Sequence, residues 1–303
     1  MQVGIKVGPT TWKAFLSVYR PQVCEVWFRI DWLDRYAELF AYLRKHEIPA
    51  GLHFWGNLAG NVMPNFAFPD RDVRDSSLEL VRKTIDVACE HGFRYVNIHP
   101  GSYRLSTIDL EQLSMLPVGG RITSPRIGAR VLIENISQLH SYATSRNVML
   151  LVETLPCREP MNFKDLAKGR LRTQNMENVP LATVEKLAKK GFFVCNDFCH
   201  TAMDVISDDR EFLFSKLLSK TKRLAAQTRL VHVNTMLPPF NGTDGHLGIL
   251  EEDFKNRVFP SREQLRALLS VFSEREDVWA VPEPFSRNVE NSRALEEMLK
   301  VFR

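Results

Sequence analysis

Along the chain one pattern keeps returning: a short run of β-branched and aromatic residues, a polar break, then a longer amphipathic stretch. Eight apolar runs read as strands: "VGIKV" near Val3, "CEVWFRI" from Cys24, "AGLHFW" from Ala50, "YVNIHP" from Tyr95, "VMLLVET" from Val148, "FFVCND" from Phe192, "LVHVNT" from Leu230 and "VWAVPE" from Val278. Helical periodicity runs through "DRYAELFAYLRKHEI", "SSLELVRKTIDVACEHG", "IGARVLIENISQLHSYATSRN", "LATVEKLAKKG", "DREFLFSKLLSKTKRLAAQ", "SREQLRALLSVFSER" and "VENSRALEEMLKVF". "TTWKAFLSVYR" predicts only a short first helix. Strands that are apolar nearly throughout are buried on both faces, which points to parallel strands covered by helices. Eight such units predict an α/β fold, a single (β/α)8 TIM barrel forming one domain over residues 1–303, with a doubly wound open sheet as the alternative.

Local signals sharpen some boundaries. Ser76 or Ser77 before "LELV", and Ser261 with Gln264 three positions on, are predicted helix starts, and Gly92 and Gly191 stand where helices should end. Two connections are long: Arg104 to Arg126, containing "VGGRITSPR", and Thr154 to Pro180, containing "PCREPMNFKDLAKGRLRTQNMENVP". They follow strands four and five, so in a barrel they would rise from the C-terminal face, as lids, as recognition loops or as plain decoration.

Composition changes this picture little. With 44% hydrophobic and 25% charged residues the chain has the balance of a globular protein with a sizeable core. No apolar run approaches the ~20 residues of a membrane span, and "MQVGIKVGPTTW" lacks the layout of a signal peptide, so a cytoplasmic location is expected. The five cysteines are odd in number and lack CxxC spacing, which argues for reduced, mostly buried thiols rather than a disulfide framework or zinc knuckle. A net charge of +4 is compatible with a phosphate-bearing partner but falls short of a dedicated nucleic-acid binder.

Chemistry concentrates at strand ends. His53 lies near the end of strand three, His99 ends strand four, Glu153 strand five, Asp197 strand six, and Glu283 strand eight, while His232 is close to the end of strand seven. Asp244 and His246 sit two apart in the loop after strand seven, and His200 follows Asp197 by three. "FVCNDFCHTAMD", Phe193 to Asp204, poses the question in small: a strand end with a helix N-cap, or part of a metal site. Six consecutive strands delivering imidazoles or carboxylates to one end of a barrel would leave desolvated, repelling charges unless something cationic lay between them. Nitrogen and carboxylate ligands without thiolate suit zinc or manganese, and nine are too many for a single ion.

From His53 to Pro284, the order of these residues, with "HPGS" at His99, "DxCH" at Asp197 to His200 and "DGHLGI" at Asp244, resembles the endonuclease IV family of abasic-site endonucleases, a branch of the xylose isomerase-like barrels. The resemblance implies three zinc ions: one on His53, His99 and Glu153, a second sharing Glu153 with Asp197, His232 and Glu283, and a third on His200, Asp244 and His246. It also implies Glu153 and Glu283 as catalytic carboxylates, damaged DNA as partner and hydrolysis of the phosphodiester 5′ to an abasic sugar. Manganese is the alternative metal. The sugar isomerases and epimerases of the same superfamily use one metal on a Glu, Asp, His, Glu set, which Glu153, Asp197, His232 and Glu283 would supply, and act on a small sugar or sugar phosphate. His53, His99 and His246 favour the three-metal reading.

The recognition side departs from the family. "HFWGNLAGN" lacks the Tyr and Leu that wedge into a duplex, "HVNT" has Thr235 for Asp, and "ETLPC" replaces a glycine-rich "ENTAG". Trp55, Phe54 or Tyr103 could stack on a base or sugar, or pack in the core. Arg104, Arg121, Arg126, Arg158, Lys168, Arg170 and Arg172 fall in the two long connections, as phosphate contacts or as a solvated surface.

Overall fold

The computed structural model describes residues 1–112, 114–163 and 172–302. Eight parallel strands close into a barrel: β1 (Gln2–Val7), β2 (Val23–Arg29), β3 (Ala50–Trp55), β4 (Tyr95–Ile98), β5 (Met149–Glu153), β6 (Phe193–Asp197), β7 (Thr228–Val233) and β8 (Trp279–Pro282). Sequence neighbours pair, and β8 closes on β1 through Gln2 opposite Trp279 and Val3 opposite Ala280. The register slips by one residue between β6 and β7: Val194 faces Thr228 but Cys195 faces Leu230, with Arg229 as the extra residue.

Alternate residues of each strand point inward, and they divide into two chemically distinct layers. Val23, Tyr95, Leu151, Cys195, Leu230, Trp279 and Val281 pack as one apolar cluster that fills the lower barrel. Tyr95 and Trp279 meet edge to face there, with ring centroids 5.2 Å apart. Gly51 makes room for the tyrosine, since a Cβ at that position would stand 2.3 Å from the Tyr95 ring. One layer higher come Lys6, Glu25, His53, Asn97, Glu153 and His232, all buried. A strand that is apolar on its outer face and polar only at its C-terminal inner position still reads as an apolar run, which is why the strands were legible.

Outside the barrel run the short helix Trp12–Leu16 and the helices Ala37–Lys45, Arg71–Glu90, Pro125–Thr144, Leu181–Lys189, Arg210–Leu224, Arg262–Ser270 and Asn288–Leu299. The Ser261 and Gln264 side chains exchange capping bonds as a capping box. Gly92 and Gly191 follow helix ends at φ of 68° and 93°, the left-handed conformation that glycine adopts without strain. Ser76 and Ser77 are not helix starts. Asp70 is the N-cap, accepting from the Val73 amide at 3.1 Å, and Ser77 lies inside the helix, donating to the Val73 carbonyl at 2.6 Å. The helix reaches back over polar residues that hydrophobic periodicity alone could not include.

Each long connection carries a small two-stranded antiparallel sheet. Ser106–Asp109 pairs with Ser114–Pro117, and Glu159–Pro160 with Thr173–Gln174. The first is tied to the rim by Met63 N–H to the Ser106 carbonyl at 2.8 Å, the second by Arg158 N–H to the Gly242 carbonyl at 2.8 Å. Lys168 and Arg170 lie outside the described residues.

Candidate metal centre

The strand ends, with the turn after β6 and the loop after β7, bring all nine sequence-selected side chains to the barrel mouth. His53 Nε2 is 3.3 Å from His99 Nε2 and 3.4 Å from Glu153 Oε2, and His99 Nε2 is 3.7 Å from Glu153 Oε1. His232 Nδ1 lies 3.3 Å from Glu153 Oε1, 3.7 Å from Asp197 Oδ2 and 2.9 Å from Glu283 Oε2. Asp244 stands between two imidazoles, 3.3 Å from His200 Nε2 and 2.8 Å from His246 Nε2. Besides Glu25 with His53 and His232, and Cys195 with Glu153 and His232, three sets drawn from the nine have ligand atoms within 4.8 Å of one another: His53, His99 and Glu153; Glu153, Asp197, His232 and Glu283; and Asp197, His200 and His246. Glu153 belongs to the first two, Asp197 to the last two.

Local structure fixes the presentation of each group. Asp197 ends β6 and caps the short helix Phe198–Ala202, accepting the His200 amide at 2.8 Å through Oδ1. The strand-end cap and the cluster are thus one arrangement, because the turn that Asp197 caps carries His200 round to Asp244. The His200 Nδ1–H donates to the Thr154 carbonyl at 2.7 Å and the His246 Nδ1–H to the Glu283 carbonyl at 3.0 Å, which leaves both Nε2 atoms turned to Asp244. Asn234 Nδ2 donates to Asp197 Oδ2 at 2.9 Å and Asn97 Nδ2 to Glu153 Oε2 at 2.6 Å.

Sequence reasoning missed Lys6, Glu25, Asn97 and Asn234. Glu25 Oε2 accepts from His232 Nε2 at 2.8 Å and Tyr95 Oη donates to Glu25 Oε1 at 3.3 Å. The Lys6 ammonium is 3.6 Å from Glu25 Oε2 and contacts Glu283 Oε1 and His53 Nδ1. A signal existed: Lys6 and Glu25 are charged residues at inward positions of otherwise apolar runs, and such residues are almost never buried unpaired.

Electrostatics follow from this crowding. Burial opposes charge on Lys6, but Glu283, Glu25 and Glu153 outweigh it and hold the ammonium above its ordinary pKa. Burial and then Lys6 push His53 down to about 3, so its ring is neutral at pH 7. His200 and His232 go the other way despite burial: Asp197 and Asp244 raise the first, while Cys195, Glu25, Glu283 and Glu153 raise the second. His246, facing Asp244, is pushed up to about 9 although burial opposes it. Buried Glu159 rises to about 8, through desolvation and the nearby Asp244.

The donor set fits divalent cations, being imidazole nitrogen and carboxylate oxygen throughout. Two buried carboxylate atoms, Asp244 Oδ1 and Glu283 Oε2, accept no hydrogen bond of acceptable geometry although imidazole nitrogens stand 3.3 and 2.9 Å away. Such atoms face each other as ligands of a shared cation do, rather than as donor and acceptor. All five cysteines are free; Cys195 and Cys199 are buried, and Cys195 Sγ packs 3.7 Å from His232 Nδ1 within the apolar layer.

Above the cluster opens a cavity of about 700 Å³. Of the three aromatic side chains singled out for stacking, Trp55 lines it, whereas Phe54 is buried and Tyr103 is buried with its hydroxyl 3.1 Å from Thr183 Oγ1. Arg104, Arg121, Arg126, Arg158 and Arg172 do not line it.

Known proteins extend these observations. The probable endonuclease 4 of Thermotoga sp. (strain RQ2) is 36% identical over 75 residues, 24% of this chain and 26% of that protein. That of Thermotoga neapolitana is 31% identical over 99 residues, 32% of each chain, so the similarity spans only about a quarter to a third of these curated relatives. Among solved structures, a D-tagatose 3-epimerase-like protein superposes with a TM-score of 0.68 at 14% identity, covering 100% of this chain and 98% of that one. Endonuclease IV from Thermus thermophilus superposes at 0.55 and 14%, with coverage of 100% and 98%. Identities this low speak to the fold alone. The family described as Xylose isomerase-like TIM barrel matches residues 15–303, and the chain belongs to it.

Proposed function

We propose that the chain is a metal-dependent phosphodiester hydrolase with a multinuclear, zinc-type centre similar to that of endonuclease 4. What carries the reading is the surplus of ligands. Glu153, Asp197, His232 and Glu283 would suffice for one ion, yet His53, His99, His200, Asp244 and His246 join them within a few ångströms. Divalent ions held there would supply an activated water and positive charge for the phosphate, so no side-chain nucleophile is needed.

The chain's own residues do the rest. Glu153 sits between the first two ligand sets and orders both, and Asn97 holds its Oε2 in place. Glu25 fixes the His232 ring so that Nδ1 faces Glu153, Asp197 and Glu283. Lys6 adds a fixed positive charge beside Glu283 at the cavity floor, suited to a phosphate oxygen.

The substrate named by the resemblance is DNA at an abasic site, and the partial endonuclease 4 similarity supports testing it first. Purified protein should contain about three zinc ions by elemental analysis, and EDTA-sensitive phosphodiester hydrolysis, whether of an abasic oligonucleotide or of a small diester, should vanish in Glu153→Gln. A second reading, epimerisation of a small sugar or sugar phosphate at one metal, is favoured by the self-contained set Glu153, Asp197, His232 and Glu283. One manganese ion per chain without hydrolytic activity would select it.

A further inference from the structure

The roof of the cavity bears on what the centre acts upon. Ile108, Leu110, Met115 and Met176 form a buried apolar cluster of their own, with Trp27 and Trp55 packed against it, and all six line the cavity. Three of the four come from the hairpin Ser106–Asp109/Ser114–Pro117 and its turn, the fourth from the end of the second long connection. The cavity floor is polar, with His99, Glu153, Asp244 and Glu283, and its far wall is apolar and aromatic.

This wall is built into the fold. Met115 N–H reaches the Met161 carbonyl at 3.4 Å, Met161 N–H the Arg172 carbonyl at 2.8 Å, and Val118 N–H the Leu105 carbonyl at 2.8 Å. The Gln174 amide also donates to the Met115 carbonyl. A volume of about 700 Å³ lies within the range of sites that enclose small molecules. A duplex backbone would meet no arginine of the long connections inside it, since those described do not line it.

We propose that the substrate is a compact phosphodiester carrying a planar aromatic group, its phosphate on the ligand cluster and Lys6, its ring between Trp55 and the Ile108, Met115 and Met176 side chains. This rests on the hydrolase reading above. Water oxygen bonds to phosphorus as the bond from phosphorus to the ester oxygen breaks; one water proton ends on the departing alcohol or phenol and the other goes to solvent. No oxidant or further co-reactant is required.

The test compares two substrates on zinc-loaded protein: bis(4-nitrophenyl) phosphate and a duplex with one abasic site. Saturable hydrolysis of the aromatic diester without incision of the duplex is the expected result. The double variant I108A/M115A, remote from the ligands, should raise KM for the diester about a hundredfold at unchanged kcat and zinc content, because apolar contacts of this size contribute about tenfold each in a substrate pocket. Quenching of tryptophan fluorescence by 4-nitrophenyl phosphate should weaken in parallel. Incision of the duplex with no saturable diester hydrolysis would overturn the inference and leave the hydrolase reading standing. An unchanged KM in a folded double variant would also overturn it. Inactivity of fully zinc-loaded protein on both substrates would remove the hydrolase reading itself, and the inference with it.

Discussion

Glu25→Gln is the sharpest probe of how the cluster is organised. Glu25 is fully buried at the inner face of β2 and meets the cluster through the His232 Nε2 bond of 2.8 Å and the Lys6 ammonium at 3.6 Å, with a His53 ring nitrogen within 4.8 Å as well. Burial opposes its charge, but His232 and Lys6 hold its pKa below the ordinary carboxylate value. Glutamine keeps the shape and a carbonyl that can accept from Nε2, so the variant removes charge rather than packing. A carboxylate behind a ligating histidine typically contributes about 10- to 100-fold in metal affinity, which is about 1.4 to 2.7 kcal/mol. The loss should fall on the site that includes His232, Glu153, Asp197 and Glu283, and leave the one around Asp244 unchanged, because His200 and His246 are oriented by backbone carbonyls. Chelator competition followed by zinc analysis reads this as one ion released about 10- to 100-fold more easily while the others stay. Near-ultraviolet dichroism from Tyr95 and Trp279 checks that the barrel interior is intact. Zinc retention within about twofold of wild type for every ion would refute the role assigned to Glu25.

Other outcomes test the remaining links. Asp244→Asn should lower zinc content by one ion per chain while the Glu153 set stays loaded, since Asp244 stands between His200 and His246; elemental analysis decides. Zinc uptake at pH 7 should release protons, because His200, His232 and His246 are held protonated by their carboxylate partners and must be neutral to ligate. Affinity should therefore rise between pH 7 and 9 as the raised pKa of His246, about 9, is approached, and calorimetry in buffers of different ionisation enthalpy would expose a pH-independent affinity. Gly51→Ala should destabilise the fold by about 1–3 kcal/mol in urea unfolding, the usual cost of overpacking, since the added methyl would stand 2.3 Å from the Tyr95 ring. Stability within about 0.5 kcal/mol of wild type would mean the ring moves aside freely.

What could be read from the sequence, and what could not, follows from the range of the interactions involved. The barrel was legible because each strand buries both faces and so declares itself over a run of consecutive residues, and because the helix periods between them are local. The strand-end histidines and carboxylates were legible because the barrel topology, once granted, sends every strand end to the same mouth. Ser76 and Ser77 misled because a serine inside a helix can bond back to a carbonyl four residues earlier, which local sequence does not distinguish from a cap. Phe54 and Tyr103 misled because neighbours in sequence to a site residue point to the opposite face of the strand or into a helix packing layer.

Lys6 and Glu25 show what kind of reading would have gone further. In a closed barrel of parallel strands, inward positions recur every second residue and neighbouring strands are staggered by a regular shear. Anchoring that register on His53 and Glu153 places Asn97, Glu25 and Lys6 at or just below the same level, since His53 pairs with Asn97, Gly51 with Glu25, and Glu25 with Lys6. A lysine and a glutamate found there cannot be solvated, so each must answer a charge in the cluster. The buried ammonium beside Glu283, and the buried carboxylate behind His232, are therefore consequences of the cluster: carboxylates and imidazoles concentrated in one mouth demand both a counter-charge on one side and an anchor on the other.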